Sequence, residues 1–222
     1  MAESWPALWL TLKLAGITSI VLLVIATPLA WWLANWRHPL KPVVQAIIAL
    51  PLVLPPTVLG FYLLIAFAPD SLIGGIWQSV FGTSLAFSFS GLVVGSLIYS
   101  LPFAVQPMYS GFSQLNREVL ESARLLHLPV LTVATKIVFP LCKPAFIVAL
   151  GLSFAHTLGE FGVVLMIGGN IPGETKVLSI ALYDYVETLQ YANAHALAGG
   201  LLVFSFVMLA VLYLFNPAAK KS

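Results

Sequence analysis

Hydrophobic and polar positions alternate along this chain in long blocks, longer than the period of a surface helix or strand would give. Apolar blocks at about residues 8–33, 45–68, 89–108, 143–167 and 194–214 are each long enough to cross a bilayer. A hydrocarbon core of about 30 Å needs about 20 apolar residues. The pattern predicts an all-α integral membrane protein, a single domain over residues 1–222 with five transmembrane helices. The stretches at 69–88 and 168–192 read as loops; the second carries Glu174, Asp184 and Glu187 against Lys176.

The stretch at 116–140 is different, because it interrupts the apolar blocks with several charges. Asn116 can cap a helix, and Glu118 stands in its first turn, where the macrodipole favours an acid. Arg117, Glu121 and Arg124 share one face, with Val119, Leu120, Ala123 and Leu126 on the apolar face behind them. Pro129 limits the helix. Such an element is either a solvated loop helix or a docking element for a soluble partner.

Composition agrees with a membrane location. The chain is 60% hydrophobic and 8% charged, with mean hydropathy +0.99, against roughly 25% charged residues in a soluble domain. A net charge of +2 with scattered basic residues gives no nucleic-acid surface. The single cysteine, Cys142, excludes an internal disulfide. The start, MAESWPALWL, lacks a basic region and a small-residue cleavage site, so the first span is expected to be retained. Eight of the ten Lys and Arg (Arg37, Lys41, Arg117, Arg124, Lys136, Lys143, Lys220 and Lys221) fall on one side of such a five-span chain. By the positive-inside rule that side is cytoplasmic, which puts the N-terminus outside and the C-terminus inside.

Two polar features lie inside the apolar blocks. LPLVLPPTVLG (50–60) puts Pro55 and Pro56 mid-span, with Thr57 beside them. Freed carbonyls at membrane depth require burial in protein or a watery cavity, so this is a kinked packing helix or a broken segment beside a solute path. In the fourth block Ser153, His156, Thr157 and Glu160 share a helical face, and His156 and Glu160 can pair. That face is either an interhelical clamp or a pathway lining. Gly91 and Gly95 form a packing notch.

Enzyme motifs are missing. Gly168 and Gly173 have the spacing of a phosphate-binding loop, but Glu174 and Thr175 follow where that loop needs Lys and then Ser or Thr. No HExxH occurs, and His38, His127, His156 and His195 fall in four different segments. No catalytic residue, cofactor site or metal site is expected. An intramembrane enzyme or a scaffold is the remote alternative.

The charged stretch can be set against a known family. Glu121-Ser122-Ala123, His127 and Ile137-Val138-Phe139-Pro140 resemble the EAA loop of ABC-importer permeases, roughly E-A-A, three residues, G, nine residues, I-x-L-P. Ser122, His127 and Phe139 depart from Ala, Gly and Leu. LPLVLPPTVLG, LGEFG (158–162) and NIPGET (170–175) look like the molybdate permeases of the type I import family, with sulfate and tungstate permeases as close relatives. His156 stands where that family commonly has Arg.

The resemblance implies the type I importer permease fold, in a multi-pass subunit of the bacterial inner membrane. Some relatives have six spans, of which this chain would lack the first. It implies a homodimer in lipid, two copies of a cytoplasmic ATPase, and a periplasmic or lipoprotein oxyanion-binding protein. Glu118, Glu121, Ser122, Ala123, Arg124 and His127 would couple to the ATPase. Pro55, Pro56, Thr57, Ser153, His156, Thr157 and Glu160 would line or gate the path. Asn170, Glu174, Thr175 and Lys176 would meet the binding protein.

Overall fold

A computed structural model describes residues 4–214, apart from the side chains of Ser4, Arg117, Arg124 and Tyr213. Lys220 and Lys221 lie outside the described residues. The described chain is helical, in the order α1 Ser4–Asn35, α2 Lys41–Val53, α3 Pro56–Phe67, α4 Leu72–Phe81, α5 Phe89–Ser113 and α6 Arg117–Leu125, followed by α7 Val130–Val133, a π-helical turn Ala134–Val138, α8 Phe139–Gly159, α9 Gly162–Gly168, α10 Leu178–Glu187 and α11 Tyr191–Leu214. Four stretches are long and apolar enough to cross a membrane, and the pair α2 and α3 makes a fifth if its two halves count as one span.

That pair bends by 107° at Leu54–Pro55, so the apolar block at 45–68 is a broken element. Pro56 sits in the first turn of α3, where a missing N–H costs nothing. The fourth block is also redrawn. Its helix begins at Val130, well before residue 143, and runs to Gly159; a break at Glu160 and Phe161 then leads into α9. Pro140 is accommodated because the chain widens into the π turn just ahead of it, where Phe139 N–H reaches Ala134 O.

Both expected loops contain a helix. Ser71 Oγ accepts from Gly74 N at 2.9 Å to start α4, and Gly82, with φ of 70°, ends it. α10 occupies the middle of the stretch at 168–192.

α1, α5 and α8 pack together as the centre of the bundle. Ala15, Ala26, Ala30 and Ala104 are fully buried, which lets these helices approach closely. Gly91 and Gly95 make room elsewhere inside the subunit: a Cβ on Gly91 would lie 2.0 Å from Leu85 O in the loop before α5, and one on Gly95 2.2 Å from Ile167 Cδ1 on α9. α11 leans on α8 and α10 and leaves most of its surface exposed.

Two main apolar cores result, beside a small third cluster of Ala7, Leu178 and Ala181. One gathers Leu10, Leu14, Leu63, Phe67, Leu92, Val163 and Ile167, the other Leu22, Ala26, Leu33, Val105, Met108 and Val138. Along all three central helices a polar layer falls between them, made of Thr18, Ser96, Ser100, Ser153, Thr157 and Glu160.

Candidate functional site

Glu160 anchors that layer. It is only 3% exposed, at the C-terminal end of α8, where the chain leaves helical geometry. Ser96 Oγ donates to Oε2 at 2.5 Å and Ser100 Oγ to Oε1 at 2.6 Å. Ser100 has one proton, and giving it to Glu160 leaves two lone pairs. These take protons from Thr157 Oγ1 at 3.0 Å and His156 Nδ1 at 2.8 Å, which fixes the proton on that ring nitrogen. His156 Nδ1 also lies 3.4 Å from Glu160 Oε1. Its ring is held between Phe103 and Tyr99, with centroids at 4.0 and 4.5 Å. Ser179 Oγ donates to the Glu160 carbonyl, tying α10 to the same point.

The expected shared face is therefore only partly assembled. His156, Thr157 and Glu160 meet through Ser100, while Ser153 is buried with no partner for its hydroxyl among the described residues. Thr157 and Glu160 point into helix packing, whereas Pro55, Pro56 and Thr57 are exposed. The two chain breaks are neighbours: a Cβ on Gly162 would lie 2.8 Å from Pro56 Cβ, and one on Gly60 would lie 2.7 Å from Met166 Cβ. Glycine at both positions lets α3 lie against α9.

At the charged end, Asn116 Oδ1 accepts from Glu118 N at 2.9 Å and starts α6. Ala123 is buried and Leu120 packs on the second core, but Val119 and Leu126 are exposed, so the apolar face of α6 is narrower than its pattern predicts. A helix of nine residues meets the bundle along one edge only. Glu118, Glu121 and Ser122 are exposed beside it; the Arg124 side chain lies outside the described residues. His127 takes φ of 50°, the left-handed conformation a glycine would supply, and Leu128 N then bonds Ala123 O at 3.2 Å. The turn after the helix thus survives the His.

At the opposite end, Ile171 O accepts from the amides of Glu174, Thr175 and Lys176. Asn170 Nδ2 donates to both oxygens of Asp184 at 2.9 Å, and Lys176 forms an ion pair with the same carboxylate. The expectation of a surface contact at Thr175 is corrected: it is fully buried, its hydroxyl donating to Gly168 O at 2.7 Å and accepting from Ile171 N at 3.1 Å. Nearby, Tyr183 donates to Glu187, and that carboxylate holds the phenol above its usual range. Among the described residues no group of three or more His, Cys, Asp or Glu is placed to hold a metal ion.

The sequence model of the family "Binding-protein-dependent transport system inner membrane component" matches residues 26–221. The chain belongs to that family. Among its relatives, the molybdenum transport system permease protein ModB of Azotobacter vinelandii is 51% identical over 93% of this chain and 92% of its own length. ModB of Escherichia coli (strain K12) is 33% identical over 83% of this chain and 80% of its own, and the sulfate permease CysT of the same strain 31% identical over 90% and 72%. A solved bacterial alginate ABC transporter, in complex with alginate pentasaccharide-bound periplasmic protein, superposes with TM-score 0.75 at 17% identity, over 98% of this chain and 79% of that one. That likeness concerns the fold.

For this inner-membrane transport component, sequence reasoning missed Ser96 and Ser100, the two residues that satisfy Glu160. They share one face of α5 at i and i+4, and an acid in an apolar block signals that such partners must exist. The turn at His127 gives a prediction. Replacing His127 with Gly should keep the transporter assembled and active. Replacing it with Val, which resists positive φ, should lower recovery of the assembled complex on affinity purification.

Proposed function

We propose that this chain is the membrane-spanning permease of an ATP-driven molybdate importer. The observation that carries this reading is the 51% identity, over nearly the whole of both chains, to a molybdenum transport system permease. In it, two copies of the chain form the path. Two ATPase subunits grip the segment around α6 from the cytoplasm, and an extracytoplasmic binding protein delivers the oxyanion. The N-terminus is outside and the C-terminus inside, as the Lys and Arg distribution supports.

ATP binding would draw the ATPase subunits together and pull both α6 helices, with Glu118, Glu121, Ser122 and Arg124 at the contact. Rocking of the paired bundles then opens the path alternately to each side. No Lys or Arg stands in the polar layer, and Glu160 has the wrong sign to hold an oxyanion there. The exposed break at Pro55, Pro56 and Thr57 suits passage better, because a helix N-terminus attracts anions without trapping them. Glu160 and its partners act as the clamp that holds the break between α8 and α9. Asn170, Glu174 and Lys176 lie on the outer loops where the binding protein docks.

The test is uptake of labelled molybdate into vesicles holding permease and ATPase. Uptake should require both ATP and the binding protein, and tungstate should compete better than sulfate. The 31% identity to a sulfate permease supports a second reading, and preferential sulfate uptake would establish it in place of the first.

A further inference from the structure

Behind α6 lie two adjoining cavities, of whose walls the transport reading uses only Glu121, in the second. The first, about 530 Å³, is walled by Thr27, Trp31, Phe112, Val133, Val138 and Phe146 among others. Its one hydroxyl, Thr27, already donates to Leu23 O. The second, about 400 Å³, is polar, with Asn35, Arg37, Lys41, Ser113 and Glu121 in its wall. Phe112 and Leu120 line both. Each volume is in the range of small-molecule sites, ~300–1,000 Å³.

The change from apolar to polar comes at a band of aromatic rings. Trp31 faces the first cavity and Trp36 the second; Trp36 stacks on Trp32 at 4.5 Å and on His38 at 5.3 Å. Such rings mark the level of the lipid headgroups. At that level two cations face one carboxylate, and Arg37 has no ion pair among the described residues. Lys41 Nζ lies 5.1 Å from the centre of the Tyr109 ring, which keeps it beside the opening.

We propose that an anionic phospholipid of the cytoplasmic leaflet occupies this pair of cavities, with an acyl chain in the first and its phosphate on Arg37 and Lys41. The leaflet assignment rests on the orientation given under the proposed function. Basic pockets between spans on the cytoplasmic side bind such headgroups. A free anion would leave the apolar cavity empty. A soluble protein partner has other exposed apolar residues on the segment, Leu125, Leu126 and Leu131, which line neither cavity. The lipid would prop α6 from behind, at Leu120.

The experiment is native mass spectrometry of the complete transporter, permease with ATPase, equilibrated with phosphatidylglycerol or with phosphatidylcholine of the same chains. One phosphatidylglycerol per permease chain should be retained, and about thirtyfold less phosphatidylcholine, the scale expected for two cations on an anionic headgroup. The double variant Arg37→Gln/Lys41→Gln, at accessible positions, should lose that preference and stay folded. Val133→Trp, which fills the apolar cavity, should reduce retention of both lipids. Equal retention of the two lipids by the wild type, undiminished phosphatidylglycerol on the double variant, or its displacement by inorganic phosphate would each overturn the proposal. Retention is read without transport. Orientation is read separately, from labelling of His38→Cys by a membrane-impermeant thiol reagent, and labelling from outside would overturn the leaflet assignment and the orientation together.

Discussion

Glu121→Lys should leave the permease inserted and folded while lowering ATP-driven uptake of molybdate by more than about tenfold. Glu121 is exposed on α6, so its replacement removes no core contact; Leu120 and Ala123 still seat the helix on the bundle. Like charges brought together at a protein interface cost several kcal/mol, which at ~1.4 kcal/mol per factor of ten is a large loss of productive engagement. The new lysine also joins Arg37 and Lys41 around one cavity, where Glu121 is the opposing charge. Uptake and ATP hydrolysis should be measured together in vesicles. Hydrolysis that persists without uptake is the expected signature of uncoupling. Wild-type uptake would remove α6 from the mechanism.

Glu160→Ala should have the largest effect on stability. It deprives Ser96 and Ser100 of their acceptor and opens a hole at the end of α8. Each buried donor left unpaired costs ~1–3 kcal/mol, although polar contacts between membrane helices average only ~0.6 kcal/mol because alternative partners are found. The first figure should govern here, since the carboxylate is enclosed by protein on every side. The thermal midpoint of the purified protein should fall by several degrees. Glu160→Gln, which keeps the shape and one acceptor oxygen, should lose much less. Equal midpoints for the two variants would show that the carboxylate clamps nothing.

The helical class and the charged stretch were legible because each follows from a strong signal. Long apolar blocks admit few other structures, and Asn116, Glu118 and Pro129 punctuate α6 clearly. Boundaries were less legible where proline acts in two ways. Pro55 and Pro56 end one helix and start another, as their spacing suggests. Pro140 and Pro144, which look like similar punctuation, lie inside a continuous rod because a π turn absorbs the first of them. α4 was missed because Gly74 and Gly75 read as loop residues. In fact a Cβ on Gly74 would lie 2.1 Å from Ala68 O, so glycine there serves tight packing at a helix start. The polar network around Glu160 joins residues some sixty positions apart, and periodicity along one helix says nothing about what faces it across the bundle.

The layer of hydroxyls between the two apolar cores has a mechanical consequence. Interlocked leucine and valine side chains resist sliding, because any displacement opens a void and forfeits dispersion contacts. A serine or threonine hydroxyl can rotate, release one acceptor and take another while its helix shifts. The two main apolar cores of this subunit thus meet at a layer whose hydrogen bonds, among Ser96, Ser100, Thr157 and Glu160, can be exchanged without repacking either core. If transport tilts the two halves against each other, exchange of partners within this layer would take up the strain, and neither hydrophobic half would have to be repacked.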